Sequence, residues 1–284
     1  MTSVTATKGN DPNNYVQSIG CGDHGSEITV TIGGVSGAIT ESPYTYDPSA
    51  PAATDLSTLA DDYEAQDGEV LTGTLASKVK ISIADGATVT LKDVNITNLD
   101  YSCDWPGINC PGDATLVLEG TNEVCAGIDD TGEFSNYPAI YIAPGQTLTI
   151  QGAGTLTAYS NAYEPYGAGI GGGYDIACGH IVINSGNIKA SGGYYAAGIG
   201  SGGYGGYCGD ITINGGNIMA TGGDCAAGIG SGRESGSCGT ITIKSTVTSV
   251  TATKGDGSPN SIGAGQDSPA ITVNIEAGAN VTQN

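Results

Sequence analysis

The chain has 284 residues, 48 of them glycine, and its 29 acidic residues against eight basic ones give a formal net charge of -21. Such an acidic chain, with no cluster of Lys and Arg, is not a nucleic-acid or anionic-membrane binder, because phosphate recognition needs basic side chains. The absence of any run of about 18 apolar residues excludes a membrane-inserted helix, and the absence of a Gly-X-Y register excludes collagen.

The two ends of the chain share a sequence. Thr2–Gly9 is identical to Thr248–Gly255, and the similarity continues through two further segments in the same order. These are Ser18-Ile19-Gly20 against Ser261-Ile262-Gly263 and Ile28-Thr29-Val30 against Ile271-Thr272-Val273. A repeat of about 246 residues therefore begins again within this chain.

This long repeat divides the chain into three parts. We predict that residues 1–48 are terminal turns that resemble the C-terminal end of the chain, either the end of a preceding repeat or a stacking segment. Residues 49–66 are rich in Pro, Ala and Ser and end in an acidic run, which indicates a connector or cap. Residues 67–284 form the main domain.

The main domain is built from a shorter repeat of about 30 residues. Ala-Gly-Ile begins at Ala168, Ala197 and Ala227, and each copy precedes a glycine-rich stretch, a cysteine and a short strand that alternates apolar and polar residues. Similar tripeptides fill the same place in other copies: Pro106-Gly107-Ile108, Pro138-Ala139-Ile140 and Ser261-Ile262-Gly263. A fixed period of this length is typical of stacked units that share one core.

Two further apolar segments follow in each period. The second reads Leu116-Val117-Leu118, Leu148-Thr149-Ile150, Ile181-Val182-Ile183, Ile211-Thr212-Ile213, Ile241-Thr242-Ile243 and Ile271-Thr272-Val273, and the third centres on Val124, Leu156, Ile188, Ile218 and Val281. Alternation with a period of two indicates strands. We therefore predict an all-β fold, a right-handed parallel β-helix (a solenoid) with three short strands per turn of about 30 residues. We predict one more turn upstream, formed by Val79–Ile83, Val89–Leu91 and Val94–Ile96.

The cysteines suggest an oxidising compartment. All eight are disulfide candidates: Cys21, Cys103, Cys110, Cys125, Cys178, Cys208, Cys225 and Cys238. Three of them, Cys178, Cys208 and Cys238, recur at one position of the repeat and should form a vertical column, either bridged or of buried free thiols. There is no Cys-x-x-Cys pair and no ligand-like spacing of His24 and His180, which argues against zinc.

Two sets of residues could bind a ligand. Asp129, Asp130 and Glu133 offer hard oxygen ligands that suit Ca²⁺, although the same residues would also suit a solvated charged loop. The loops are rich in tyrosine, and seven residues are candidates for stacking against sugars: Tyr163, Tyr166, Tyr174, Tyr194, Tyr195, Tyr204 and Tyr207. The alternative is a tyrosine ladder that covers the glycine-rich corner and mediates lateral contacts.

Several segments carry a family resemblance. Residues 65–74 and 80–91, Tyr137-Pro138-Ala139-Ile140 and residues 167–173 together resemble β-helical repeat domains of bacterial surface proteins that are often labelled carbohydrate-binding. The resemblance implies a location at the bacterial cell surface, with the signal peptide outside this chain. It also implies contact with a polysaccharide or host glycan, and adhesion.

Other functions compete with that interpretation. A structural protein that stacks head to tail on other copies, forming a filament or stalk, is the main alternative, because an open solenoid end exposes strand edges. A Ca²⁺-dependent polysaccharide lyase or hydrolase ranks lower. Asp129-Asp130 is the only aspartate pair in the repeat region and Arg233 the sole arginine, so no catalytic residue is predicted. Outward threonines (Thr149, Thr212, Thr242, Thr272) suggest ice binding, but Val117 and Val182 should interrupt their rows.

Overall fold

A computed structural model describes residues 53–97, 103, 105–126, 137–160 and 166–284. The chain divides into Met1–Pro48 and Ser49–Asn284, and every described residue belongs to the second part. The predicted terminal turns in residues 1–48 therefore lie outside the described residues.

The described strands coil into a parallel β-solenoid, as predicted. We name its sheets in the order in which each turn of the chain visits them. The first sheet has eight strands. They are Tyr63–Ala65, Ile81–Ile83, Ile108–Cys110, Ile140–Ile142, Ile170–Gly171, Ile199–Gly200, Ile229–Gly230 and Ile262–Gly263.

The second and third sheets meet in one long strand. Ala87–Ile96 pairs through its first half with Ala114–Glu119 and through its end with Thr121–Cys125. The second sheet comprises Val70–Thr74, Ala87–Ile96, Ala114–Glu119, Thr147–Gly152, His180–Ile183, Ile211–Ile213, Ile241–Ile243 and Val273–Ile275. The third sheet continues through Thr121–Cys125, Thr155–Tyr159, Asn187–Ser191, Asn217–Thr221, Ser249–Thr253 and Val281–Gln283. A separate short pair joins Tyr207–Cys208 to Ser237–Cys238.

Equivalent residues of successive turns stack into columns inside the coil. Ile170, Ile199 and Ile229 pair in register, and Ile262 follows one turn later. The first three are fully buried. Because neighbouring strands lie about 4.8 Å apart, each isoleucine contacts its equivalents above and below. No single turn therefore has a core of its own: its apolar side chains are buried by contact with the neighbouring turns, as the short repeat predicts.

The first described turn of the coil starts inside the segment predicted as a connector. Leu56 is fully buried in the 3-10 helix Leu56–Thr58, and the preceding strand Thr54–Asp55 pairs with Leu71 and Thr72. The Asp55 carboxylate accepts a hydrogen bond from the Ser57 N–H at 2.9 Å. These residues cap the first turn. The strand Tyr63–Ala65 lies within the predicted connector, before its boundary at residue 66. The sequence did not reveal this strand because the acidic residues around it obscure the alternation of apolar and polar residues.

The last turn is buried less completely than the others. Val273 and Val281 are half-buried and Ile275 is 39% exposed, whereas Ile243 and Val250, one turn earlier, are buried. Within the described residues, no strand pairs with the far edge of Val273–Ile275 or Val281–Gln283. Among the described residues, the first turn is therefore covered along the second sheet, with Tyr63–Ala65 at the edge of the first sheet, and the last turn is half-exposed.

Aspartates connect the corners of successive turns. The Asp85 carboxylate accepts a hydrogen bond from the Asp113 N–H at 3.0 Å, and Asp113 accepts one from the Thr147 N–H at 2.7 Å. The same contact recurs from Asp62 to Lys80 N–H, Asp67 to Thr88 N–H, Asp93 to Thr121 N–H and Asp210 to Thr240 N–H. Part of the acidic content therefore satisfies backbone donors at the corners.

Three segments pair two residues away from the predicted positions. Asn122, not Val124, pairs with Leu156, and Val124 pairs with Ala158. Likewise Leu118 pairs with Gly152, and Val273 rather than Ile271 pairs with Ile241. The predicted alignments of these segments were wrong. A shift of two residues keeps every side chain on its face, so alternation alone does not detect it.

The corrected register changes the threonine column of the second sheet. Thr149 pairs with Thr115, so Val117 does not interrupt this column, whereas Val182 does. At the C-terminal end Asn274, not Thr272, pairs with Thr242.

Candidate functional site

Three turns make an additional backbone hydrogen bond where they cross the first sheet. In each, the alanine N–H of Ala-Gly-Ile donates to a carbonyl four residues later. The bonds are Ala168 to Gly172 (2.9 Å), Ala197 to Ser201 (3.0 Å) and Ala227 to Ser231 (3.1 Å). This arch brings the residues before the strand close to those after it. Loops on both sides of Ala-Gly-Ile therefore build one surface.

Glycine is required at the end of each arched strand. Gly171, Gly200 and Gly230 have φ of +136°, a region that L side chains rarely adopt. A Cβ on Gly200 would lie 1.9 Å from the carbonyl oxygen of Gly230 in the next turn. The arch therefore depends on close contact between bare backbones.

Five aromatic side chains meet over these arches, and we call them the tyrosine cluster: Tyr166, Tyr174, Tyr194, Tyr195 and Tyr204. Tyr166 is central, with its ring centroid 5.4, 6.2, 5.6 and 5.5 Å from those of Tyr174, Tyr194, Tyr195 and Tyr204, respectively. Tyr166 precedes its Ala-Gly-Ile and Tyr174 follows it. The arch is what brings them together.

The rings pack edge to face or tilted to one another rather than as a parallel stack. Tyr166 makes interplanar angles of 72° with Tyr174 and 84° with Tyr194. Tyr166 is only 5% exposed, whereas Tyr194 is 41% exposed and Tyr174, Tyr195 and Tyr204 are half-buried. Tyr166 therefore supports the other four rings, which face solvent in part and are the ones a ligand could touch.

Backbone contacts hold the loops of the tyrosine cluster together. The Gly203 N–H donates to the Tyr166 carbonyl at 3.2 Å, and the Arg233 N–H donates to the Tyr195 carbonyl at 2.9 Å. Tyr174 and Tyr204 were predicted to share a column. Their ring centroids are 5.1 Å apart, so the two side chains do meet. Their backbones are offset by one residue, however, because the Asp175 N–H donates to the Gly203 carbonyl and so places Tyr204 beside Asp175.

Arg233 extends the tyrosine cluster into the next turn. Its guanidinium lies 4.6 Å from the ring centroid of Tyr195, and its Nη2 lies 3.1 Å from Glu234 Oε1. Cation–π contact of this kind orients a guanidinium over an aromatic face. Sequence analysis considered Arg233 only in connection with catalysis. The missed signal was its spacing, six residues after Ala227, as Tyr174 stands six residues after Ala168.

The hydroxyl of Tyr204 stays protonated at neutral pH. Burial, and then the nearby Glu234 carboxylate and Tyr195, raise the pKa of Tyr204 above its usual value. A neutral phenol both donates and accepts hydrogen bonds. The tyrosine cluster thus offers apolar ring area together with uncharged polar groups.

Other predicted ligand residues lie elsewhere. Tyr207 is 48% exposed on the strand Tyr207–Cys208, and no ring contact joins it to the tyrosine cluster. Tyr163 and the proposed Ca²⁺ ligands Asp129, Asp130 and Glu133 lie outside the described residues. In the ranges that the structure describes, no three His, Cys, Asp or Glu side chains are placed to hold a metal ion.

The recurring cysteines form a column, as predicted. Cys208 pairs with Cys238, and the Cys178 N–H donates to the carbonyl of Tyr207, the neighbour of Cys208. The thiols are free at all seven described positions, Cys103, Cys110, Cys125, Cys178, Cys208, Cys225 and Cys238. Cys21 lies outside the described residues. In this structure the column consists of thiols, and Cys178 and Cys208 are buried.

We predict that thiol reactivity separates these cysteines. Burial raises the pKa of Cys110 to about 12, so folded chain at pH 8 should alkylate at Cys110 at least about 100-fold more slowly than unfolded chain. Cys178 and Cys208 are also buried, and reagent should reach them only when the chain opens. The half-buried Cys225 is the internal comparison and should react faster than the buried Cys110, Cys178 and Cys208. Mass spectrometry of alkylated peptides measures each site. Equal rates at Cys110 in native and urea-unfolded chain would contradict the burial.

The same burial has a consequence at alkaline pH. Above the ordinary thiol pKa of 9.0, unfolded Cys110 loses its proton while the folded thiol keeps it up to about 12. The unfolded state then binds fewer protons, so this residue lowers the free energy of unfolding as pH rises through that window.

The comparisons with known proteins agree with the fold. A family model described as Beta helix repeat matches residues 148–174, 181–203 and 211–233, less than half of the chain. These three segments are similar to Beta helix repeats. Each matched segment runs from the second sheet, through the third, to the loop after the next first-sheet strand. No curated protein and no solved structure gave a match. Among the described residues, no helix is long and apolar enough to span a membrane.

Proposed function

We propose that this chain is an extracellular module of a tandem-repeat protein at the bacterial cell surface, where it binds carbohydrate and acts in adhesion. The observation that carries the proposal is the tyrosine cluster, a partly exposed aromatic surface with uncharged hydroxyls and one guanidinium. The solenoid places it on the outside of three neighbouring turns. The proposed ligand is a polysaccharide or a host glycan.

The chemistry of the tyrosine cluster suits a sugar. An aromatic ring offers apolar area to the C–H face of a pyranose, and its hydroxyl exchanges hydrogen bonds at the rim. Tyr194 and Tyr195 lie 4.2 Å apart between centroids, and Tyr204 lies 5.6 Å from Tyr195, so one extended ligand can touch all three. Tyr166 and Arg233 limit the movement of these rings, which lowers the entropy cost of binding.

The negative charge around the tyrosine cluster should favour neutral polysaccharides over acidic ones. Asp175 is exposed beside the tyrosine cluster, Glu234 already pairs with Arg233, and the whole chain carries a net charge of -21. A polyanion would be repelled. We therefore propose that neutral polysaccharides bind without metal, and that acidic ones bind only when Ca²⁺, for which Asp129, Asp130 and Glu133 are the proposed ligands, bridges the charges.

Matched tyrosine substitutions test the site. Tyr194→Ala and Tyr204→Ala should each weaken binding of a neutral polysaccharide by about tenfold, the equivalent of about 1.4 kcal/mol, through the loss of ring contact. Tyr207→Ala removes a ring outside the tyrosine cluster that is about as exposed as that of Tyr194, and it should leave binding unchanged. Isothermal titration against neutral and acidic polysaccharides, with and without EDTA, measures both. Equal losses in all three variants, or no binding to any glycan, would reject the proposal.

The proposal includes no catalytic step. The lower alternative, a Ca²⁺-dependent lyase or hydrolase, is tested by incubating the chain with pectin and alginate in the presence of Ca²⁺. Release of new reducing ends or of unsaturated uronates would overturn the binding-only assignment.

A further inference from the structure

We infer that Cys238 is a modification site for low-molecular-weight disulfides, and that Cys208 then displaces the added group to form one covalent bridge between Cys208 and Cys238. The observation that carries the inference is a column of three thiols, of which two are buried and one is half-buried. The inference does not depend on the proposed function, because it concerns the cysteines that follow the tyrosine cluster and not the rings.

Cys208 and Cys238 stand side by side in neighbouring turns. They pair in register through the short strands Tyr207–Cys208 and Ser237–Cys238. Paired strands lie about 4.8 Å apart, and the Cα atoms of disulfide-bonded cysteines lie about 4.4–6.8 Å apart. The two thiols already lie within hydrogen-bonding reach of each other. A bridge can therefore form without any change of register.

Of the three thiols in the column, that of Cys238 is the most accessible. Cys178 is 1% exposed and Cys208 is 0% exposed, whereas Cys238 is half-buried. The Cys238 thiol donates a hydrogen bond at 2.8 Å to the carbonyl of Gly230, the glycine that ends an arched strand. A dissolved reagent should therefore meet the column first at Cys238.

The proposed reaction consists of two successive thiol–disulfide exchanges. In the first, the Cys238 sulfur loses its proton and attacks one sulfur of the small disulfide, whose S–S bond breaks and releases one small thiol. In the second, the Cys208 sulfur loses its proton and attacks the Cys238 sulfur, so that a second small thiol leaves. The two protein thiols are oxidised, the small disulfide is reduced, and the two small thiols carry the two protons. The second exchange is fast because the fold holds both protein sulfurs side by side.

Cys178 should remain a thiol after this reaction. One bridge uses two of the three sulfurs, and Cys208 lies between Cys178 and the proposed entry at Cys238. The Cys178 thiol is buried and donates to the Gly200 carbonyl at 3.7 Å. It is therefore shielded from reagent by its own turn and by the bridge.

The bridge connects the two turns that carry Tyr204 and Arg233. The Tyr204 N–H already donates to the Arg233 carbonyl at 3.0 Å, a few residues before Cys208 and Cys238. A disulfide across one turn restricts the unfolded chain. Oxidation should therefore raise the urea concentration at which these turns unfold, and a reductant should reverse the change.

Cys225 is a matched control in the same chain. It is also half-buried, but Gly257 lies beside it in the next turn, where an added Cβ would be 3.0 Å from the Cys225 Sγ. In the previous turn Tyr195 holds the same place, two residues before its Ala-Gly-Ile. Among the described residues, no cysteine therefore holds the neighbouring place in either adjacent turn, and a group added at Cys225 should stay there.

Oxidised glutathione tests the inference on the full chain at pH 8. Mass spectrometry of unreduced peptides locates each adduct and each bridge. We expect glutathione to remain on Cys225, Cys208 and Cys238 to share a disulfide, and Cys178 to stay a thiol. Cys208→Ala should increase the glutathione retained on Cys238 at least about tenfold, because the displacing thiol is gone. Cys178→Ala should leave the bridge unchanged.

The map of the unsubstituted chain decides the inference even where a variant does not fold, which circular dichroism checks. The inference is overturned if Cys238 is still a thiol when Cys225 is fully modified, if the unsubstituted chain keeps glutathione on Cys238, or if the bridge includes Cys178. It is also overturned if a folded Cys208→Ala variant retains no more glutathione on Cys238 than the unsubstituted chain does.

Discussion

Replacing Gly200 by alanine should disrupt the arched turns and lower the free energy of unfolding by about 3–5 kcal/mol. The new Cβ would lie 1.9 Å from the Gly230 carbonyl oxygen, and the backbone φ of +136° would be strained for any L side chain. Because this atom belongs to the backbone of the next turn, neither partner can rotate away. Urea unfolding followed by circular dichroism measures the loss.

Gly145→Ala is the matched control for this prediction. Gly145 also has positive φ, +80°, but no atom lies within 4 Å of the position where its Cβ would be. It should cost only about 1 kcal/mol, from backbone strain alone. Equal losses in the two variants would show that strain, and not contact between turns, makes glycine necessary at Gly200.

Replacing Asn122 by leucine should destabilise the chain, although its column suggests the opposite. Asn122 stands in the column of Leu156 and Ile188, where an apolar residue is the rule, and it is fully buried. Its Oδ1 accepts a hydrogen bond from the Val94 N–H at 3.0 Å, and its Nδ2 donates to the carbonyls of Glu119 and Thr155 at 3.0 and 3.1 Å. Leucine leaves the Val94 N–H without this acceptor, at a cost of about 1–3 kcal/mol.

The control for Asn122→Leu is Asn187→Leu in the same sheet. Asn187 is exposed, and its amide oxygen accepts a hydrogen bond from Asn217 Nδ2 at 2.8 Å, where water can replace it. This substitution should change stability by less than about 0.5 kcal/mol. A stabilising effect of Asn122→Leu in thermal or urea unfolding would contradict the assignment and show that the apolar column dominates.

The sequence predicts the architecture well because the coil repeats itself. Ile170, Ile199 and Ile229 were predicted to stack, and their pairing confirms it. Where the repeat is irregular, prediction fails in one particular way. Val124 and Ile271 were each assigned two residues from their true partners, because that shift preserves which face a side chain occupies. Only three-dimensional pairing, with Asn122 in an apolar column, distinguishes the two registers.

The candidate site was less accessible from sequence. Spacing around Ala-Gly-Ile brought Tyr166 and Tyr195 together correctly, with ring centroids 5.6 Å apart. It did not show that Tyr166 is buried and supports the other rings, because loop residues carry no alternation that separates inside from outside. It also missed Arg233, although Arg233 stands six residues after Ala227, as Tyr174 stands six residues after Ala168, because a cation was not sought at a position that tyrosine fills in another turn.

The fold of this chain does not require the negative charge of its corner aspartates. At Asp113 and Asp210 the contact to the next turn uses one carboxylate oxygen and a backbone N–H. An asparagine side chain presents an oxygen of the same reach without the charge. The coil should therefore tolerate large changes in its isoelectric point through Asp→Asn exchange at the corners, so that its surface charge could be tuned to different habitats while the same turns persist.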